Sequence, residues 1–385
     1  MFVVFITRGY PSKNHLQNGI FEAIQAHALK KLGHKVIIIG VNCYSIKNYD
    51  ILGSHHRIED GIEIFEDYSL AIPSHNRMPF VWQSKILSKK IRKYLNLIIK
   101  EHGKPDVIHS HYLLMTSAVS RIIPEYNIPL VCTEHWSRIN SNLLPQSTLE
   151  DGKRAYDKVD RILAVSNQTS KSILEKFDKK SNVVYNMVHD TYFDSKKKCY
   201  LNNEFTFISI GTMSNNRKGF DILLKAFAKF LASGENGILN IIGQGVLLNQ
   251  YKELAKKLGI NDKVEFIPEM NREELSDYIS HSHVVVMSSR IETFGVVLIE
   301  GMAKGKPVIA TRCGGPEDFI TSEMGILVPT EDIDELCNAM IRMKKSYSEY
   351  NQEKIKNLCY DNYSQKRIAE KIIDVYSSAI QHHGN

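Results

Sequence analysis

A chain of 385 residues with 43% hydrophobic content has room for about two domains at roughly 100–200 residues each, and it is too apolar to be disordered or fibrous. Its 49 Lys and Arg against 43 Asp and Glu leave a formal charge of +6. That suits anionic partners such as phosphorylated substrates or anionic lipid, but falls short of the excess carried by nucleic-acid binders.

The first apolar run, Phe2–Thr7, has no basic stretch before it and no small-residue cleavage site after it, so it reads as a buried strand rather than a signal peptide. No apolar run approaches the ~20 residues needed to span a bilayer. Further short β-branched runs at Lys35–Val41, Asp106–His109, Leu130–Thr133, Arg161–Val165 and Asn182–Tyr185 alternate with amphipathic stretches. That alternation predicts a parallel sheet covered by helices on both faces.

Within this half, residues 84–104 place Leu87, Ile91, Tyr94, Leu95 and Ile98 on one helical face, with Lys85, Lys89, Lys90, Arg92, Lys93 and Lys100 largely elsewhere. Two readings stand: a surface helix of the first sheet, or a basic amphipathic helix on anionic lipid, where each exposed cation adds about 1 kcal/mol. The six cysteines lie far apart, without a CxxC motif or a dense disulfide framework, and suit a reducing cytoplasm.

A hydrophilic, Lys-rich stretch from Asp194 to Glu204 breaks the pattern. The alternation then restarts with strands at Phe205–Ile210, Leu239–Ile242, Val264–Ile267, Val284–Met287 and Val308–Thr311, and helices near Phe220–Ala232, Leu247–Leu258, Arg272–Ser280 and Phe294–Lys304. The fold class expected is α/β: two tandem Rossmann-like, doubly wound domains, residues 1–198 and 199–362, with ligands at the carboxyl ends of the strands and in a cleft between the domains.

Five motifs follow strands. In IETFGVVLIE, Glu292 precedes a helix opened by Phe294 and Gly295, and Glu300 lies two turns along it. The helix end can hold an anion and a carboxylate can accept two ribose hydroxyls, although acids also occur there simply to match a helix dipole. In GTMSNNRKG, Arg217 and Lys218 follow Gly211 and Thr212; such a pair suits a diphosphate, and otherwise is a solvated basic turn. It lacks the GxxxxGK[ST] spacing of a P-loop.

Gly19 sits between the first strand and the following helix, where backbone can approach a phosphate or sugar closely, or where a glycine merely opens a helix. In DVIHSHYLL, His109 is expected near the core and His111 at the ligand cleft. The next strand ends in VCTEHWSRIN, whose Glu134, His135 and Arg138, with Trp136, suit a sugar acceptor or a packed aromatic corner. Asp332-Ile333-Asp334 has the form of a DxD metal motif but falls at a helix start, where acids match the dipole.

Taken together, Gly19, the HSH of His109–His111, GTMSNNRKG, IETFGVVLIE and GGPEDFI from Gly314 resemble the family-4 retaining glycosyltransferases of the GT-B fold, over nearly the whole chain. The resemblance implies a UDP- or GDP-sugar donor, with Arg217 and Lys218 on the diphosphate and Glu300 on the ribose. It places Glu292 and the Phe294 and Gly295 amides around sugar and phosphate, with His111 facing the sugar. It implies no metal and no other cofactor, and a final helix, within 363–380, that packs back on the first domain.

Thr212 departs from the family pattern, where Arg commonly follows the first glycine, so Arg217 must do more. The base would be read through backbone near Glu265–Glu269. The activity expected is transfer to a saccharide or lipid-linked saccharide acceptor in surface-polysaccharide assembly. The enzyme would be cytoplasmic and peripheral on the inner face of the plasma membrane, through 84–104. A nucleotide-sugar hydrolase or epimerase of the same fold, a pyridoxal-phosphate phosphorylase, and a non-catalytic nucleotide-sugar-binding scaffold subunit are the alternatives.

Overall fold

The computed structural model describes residues 1–12, 18–44, 52–70, 79–141, 144–194 and 204–383. It divides into two compact units, Met1–Met187 with Gln365–Asn385, and Val188–Ser364. The division falls ahead of residue 198. Val188 bridges to Ser364 and donates its N–H to the Tyr363 carbonyl, and Tyr192 hydrogen-bonds Glu300, all within the second unit. Most of the Lys-rich stretch, residues 195–203, lies outside the described residues.

The strands of the first unit are β1 (Phe2–Thr7), β2 (Lys35–Tyr44), β3 (Gly53–Glu59), β4 (Ile62–Leu70), β5 (Val107–His111), β6 (Leu130–Glu134), β7 (Arg161–Ala164) and β8 (Asn182–Val183). They order as β3-β4-β2-β1-β5-β6-β7-β8. Every neighbouring pair is parallel except β3 and β4, which run antiparallel. The expectation of purely parallel sheets is corrected at this edge. The sequence of β3, GSHHRIE, is polar and mostly exposed, so no alternation marks it; its ladder to β4 makes it a strand.

The helices here are α1 (Ile20–Lys31), α2 (Phe80–His102), α3 (Tyr112–Ser120), α4 (Gln146–Tyr156) and α5 (Asn167–Phe177). Alternation along β1 sends Val3 and Phe5 to one face, with Ala26 and Leu29 of α1, and Val4 and Ile6 to the other, with Leu87, Ile91 and Leu95 of α2. At ~25 cal/mol per Å², each fully buried aliphatic side chain contributes about 1.5–3 kcal/mol. The apolar stripe of α2, from Leu87 through Ile98, is entirely inside this core. It is therefore not free to lie in lipid, and only exposed lysines such as Lys85, Lys89 and Lys93 could meet an anionic surface.

The second unit contains α6 (Phe220–Ala232), α7 (Leu248–Lys257), α8 (Arg272–His281), α9 (Val296–Ala303), α10 (Ile333–Lys345) and α11 (Gln352–Tyr363). Its strands are β9 (Thr206–Ile210), β10 (Ile238–Ile242), β11 (Val264–Ile267), β12 (Val284–Met287), β13 (Val308–Thr311) and β14 (Gly325–Val328). They form a wholly parallel sheet, β11-β10-β9-β12-β13-β14. The last helix, α12 (Gln365–His382), belongs to the first unit: Ile368, Ile372 and Tyr376 join the core of β1 and α1. Among the described residues no helix is long and apolar enough to cross a membrane.

Candidate active site

In the second unit the chemistry gathers where β9, β12 and β13 end. After β9, the Asn215 side chain accepts the Arg217 N–H at 3.0 Å and folds residues 216–218 into a single 3-10 turn. Gly219 closes the turn at φ +65°, and a Cβ there would stand 2.0 Å from the Ser288 carbonyl oxygen. Gly219→Ala is therefore expected to cost more than the ~1 kcal/mol of an ordinary left-handed alanine, seen as a lower urea midpoint; an unchanged midpoint would disprove this tight seat.

The Lys218 stem runs across Gly211, whose missing Cβ leaves it room, and Nζ reaches Glu292 Oε2 at 2.5 Å. Arg217 and Thr212 are exposed.

Sequence reasoning missed the residue that holds this turn. Arg290 grips Asp221 with both terminal guanidinium nitrogens, Nη1 and Nη2, at 2.8 and 2.9 Å, and Nη1 donates to the Asn216 carbonyl at 2.5 Å. Its own N–H bonds the Arg217 carbonyl at 2.7 Å. Such a bidentate pair fixes orientation as well as charge. Ser288 adds hydroxyl bonds to the Lys218 and Gly219 carbonyls. Neither residue belongs to a local motif, because the partners of both in this turn lie about 70 positions away in the chain.

Glu292 is pinned from behind. Its N–H bonds the Cys313 carbonyl at 3.0 Å, and the residue bridges in parallel to Gly314. Burial alone would raise its carboxyl pKa, but Lys218, the Thr293 N–H and Arg217 more than offset this and hold it below the usual carboxylate value. Gly295 caps α9 at φ +98°, and the Phe294 ring is buried against Phe319 and Tyr363. The α9 amino end and its dipole are thus anchored shortly after Glu292, the partner of Lys218, in the chain. Glu300, farther along α9, accepts from the Tyr192 hydroxyl; burial pushes its carboxyl up to about 7 against the pull of Tyr192 and Arg272.

In the first unit the histidines lie deeper than expected. β5 persists through His111, so His109 and His111 share one face and stack at 4.2 Å. His109 is structural: Tyr376 and Thr133 engage both ring nitrogens at 2.6 and 2.7 Å, and burial lowers its pKa to about 3. His111 is also fully buried, 3.3 Å from His135, and burial holds it well below the usual histidine value. His111 Nε2 and His135 Nδ1 have no hydrogen-bond partner among the described residues.

Glu134 is buried and accepts from the Trp136 N–H at 2.7 Å and the Tyr156 hydroxyl at 3.0 Å; burial raises its pKa to about 7. Its oxygens thus hold the corner after β6, and Arg138 beside it is exposed. Gly19 caps α1 at φ +67°. Glu22 was also missed: it is buried, with neither carboxylate oxygen hydrogen-bonded among the described residues, and it interacts electrostatically with Arg8, whose guanidinium lies 3.6 Å over the Tyr112 ring. In sequence an acid in a helix's first turn looks like an ordinary dipole match.

Asp332 caps α10 by accepting the Glu335 N–H at 2.9 Å, and Asp334 pairs with Lys229, so each acid of the DxD sequence has a structural partner. Among the described residues, the group of metal-ligating side chains close enough to share an ion is Glu63, Glu101 and His102, in the first unit.

Residues 25–192 match the model of Glycosyltransferase Family 4, and residues 193–357 that of Glycosyl transferases group 1. An uncharacterized glycosyltransferase of Methanocaldococcus jannaschii is 24% identical over 92% of this chain and 93% of its own. Sucrose-phosphate synthase of Thermosynechococcus elongatus superposes with a TM-score of 0.78 at 19% identity, over 99% of both chains. Anabaena HepE, solved in complex with UDP-glucose, gives 0.75 at 16% identity over 98% of this chain and 100% of its own. With two consecutive family matches spanning most of its length and this architecture, the chain is a glycosyltransferase of the GT-B fold.

Proposed function

We propose that this glycosyltransferase takes its sugar from a UDP- or GDP-sugar and passes it, with retention of anomeric configuration, to a saccharide or lipid-linked saccharide acceptor in surface-polysaccharide assembly at the cytoplasmic face of the membrane. The observation that carries the reading is the Lys218–Glu292 pair, 2.5 Å apart, held at the carboxyl ends of β9 and β12 beside Arg217. HepE, a neighbour in fold, was solved with UDP-glucose.

As the bond from the anomeric carbon to the phosphate oxygen breaks, negative charge gathers on the departing diphosphate and positive charge on the sugar ring. Lys218 and Arg217, with the amino end of α9, are preorganised to stabilise the former. In this reading they need no metal. Glu292 keeps the Lys218 ammonium aimed, and Glu300 accepts the ribose hydroxyls. The acceptor oxygen attacks from the face the diphosphate leaves, which takes its proton, and no side chain forms a covalent intermediate. In the first unit, His111 is assigned to the sugar and His135 and Arg138 to the acceptor.

A thermal-shift screen against UDP, GDP, ADP and their sugar conjugates, with EDTA throughout, tests this. Stabilisation by the UDP or GDP series is expected, and it grows with ligand concentration as binding to the folded state requires. A response only to ADP, or to none, would overturn the donor assignment.

A further inference from the structure

A cluster of metal-ligating side chains lies at the β3–β4 edge of the first unit. Glu63, at the start of β4, lies between two histidines. His56 on β3 meets its Oε1 at 2.9 Å, and His102, the last residue of α2, lies 2.9 Å from its Oε2. Glu101 adds a second carboxylate, and the ligand atoms of Glu63, Glu101 and His102 all lie within 4.8 Å of one another.

The two histidines differ in kind. His56 Nε2 is hydrogen-bonded to Glu63. His102 Nε2 is buried, and despite its closeness it is misaligned for a hydrogen bond and has no such partner among the described residues. A buried imidazole nitrogen this close to two carboxylates, with no hydrogen bond of its own, is placed where one ion could be shared among them.

We propose that Glu63, Glu101 and His102 bind a divalent transition-metal ion of the zinc class. Imidazole nitrogen with carboxylate oxygen suits that class, and metal–ligand lengths of ~2.0–2.2 Å put tetrahedral donors about 3.3 Å apart, a spacing these side chains reach with small rotations. Two carboxylates with a neutral imidazole match a charge of +2. The carbonyl end of the 23-residue α2 also favours a cation. His56 holds the far oxygen of Glu63, the outer-sphere bond that orients a ligating carboxylate.

The ion would pin the β3–β4 hairpin, the antiparallel edge of the sheet, to the end of α2. Glu63 pairs with Ile37 near the start of β2, at the amino-terminal edge of the parallel strands, whereas His111 ends β5. The site therefore supports structure rather than turnover.

The full-length chain, stripped with EDTA, would be titrated with Zn²⁺ by calorimetry and with Co²⁺ by visible absorption, and melted with and without Zn²⁺. One saturable equivalent, a cobalt d–d band and a rise in melting temperature are expected. Glu101→Gln and His102→Ala should weaken Zn²⁺ by more than about tenfold and abolish the rise, whereas His281→Ala, on the other unit, should change neither. Glu101 is exposed, so its variant decides the question even if His102→Ala fails to fold. No saturable binding, or equal binding by Glu101→Gln and the parent, would reduce the group to a histidine–carboxylate contact only.

Discussion

Lys218→Ala is expected to lower kcat/KM by about 10²–10³, the usual cost of removing one preorganised donor from developing negative charge. Three features make the ammonium irreplaceable by solvent. Its stem is laid over Gly211, its head is held by Glu292 at 2.5 Å, and the turn that carries it is clamped by Arg290 and Ser288. The same substitution leaves the Glu292 carboxyl partly buried without its main counter-charge, at a cost of about 1–3 kcal/mol in folding stability.

The pH dependence of that loss has a definite sign. In the parent the Glu292 pKa is depressed, so its pairing contributes stability above the unfolded carboxylate pKa, and this is lost as pH falls through the lower folded value. In Lys218→Ala the neutral-pH contribution disappears. Adding Glu292→Gln should recover much of the stability and none of the turnover. The urea midpoint and kcat/KM of the single and double variants separate the two roles, and a normal kcat/KM for Lys218→Ala would remove it from the phosphate site.

Much of this site was legible because it is written in short stretches. Strands such as Phe2–Thr7 and Val284–Met287 are apolar on both faces, as buried parallel strands must be, and Arg217, Lys218 and Glu292 lie in the segments that follow strands, with Glu300 on the helix after one. What sequence could not supply depends on long-range partners. Arg290 matters because Asn216, in the turn after β9, and Asp221, in the first turn of α6, lie far from it in the chain, and β3 is a strand only because β4 pairs with it.

The stripe on α2 shows a second limit. Leu87, Ile91, Leu95 and Ile98 are spaced for any apolar surface, and only the fold decides that the surface is the sheet. Likewise a His-Ser-His sequence cannot tell whether the strand continues through its last residue. Here it does, and that brings the His111 ring beside His109 and His135.

Glu300 carries the second large effect, in donor binding. With its pKa raised by burial to about 7 and an unfolded value near ~4.3, the folded chain holds a proton between these limits that the unfolded chain has shed. Stability should therefore fall as pH rises through roughly 4.3 to 7, and level off above. Glu300→Gln removes this group's share of the slope, leaving that of Glu134, which burial also raises to about 7, and the difference is measurable by urea unfolding across that range. The ionised form is the one that accepts hydroxyls: a carboxylate offers about four lone-pair sites, and Tyr192 occupies one.

If those sites take the ribose, nucleotide affinity should rise about tenfold between pH 6 and pH 8, as the ionised fraction of a group with a pKa of about 7 requires. The Glu300→Gln profile should be flat, and Glu300→Ala should bind nucleotide about 1.5–3 kcal/mol more weakly than the parent. Calorimetry on the three proteins decides it. A Glu300→Gln profile that still rises with pH would assign the titration to another group, and unchanged affinity in Glu300→Ala would leave the carboxylate only its bond to Tyr192.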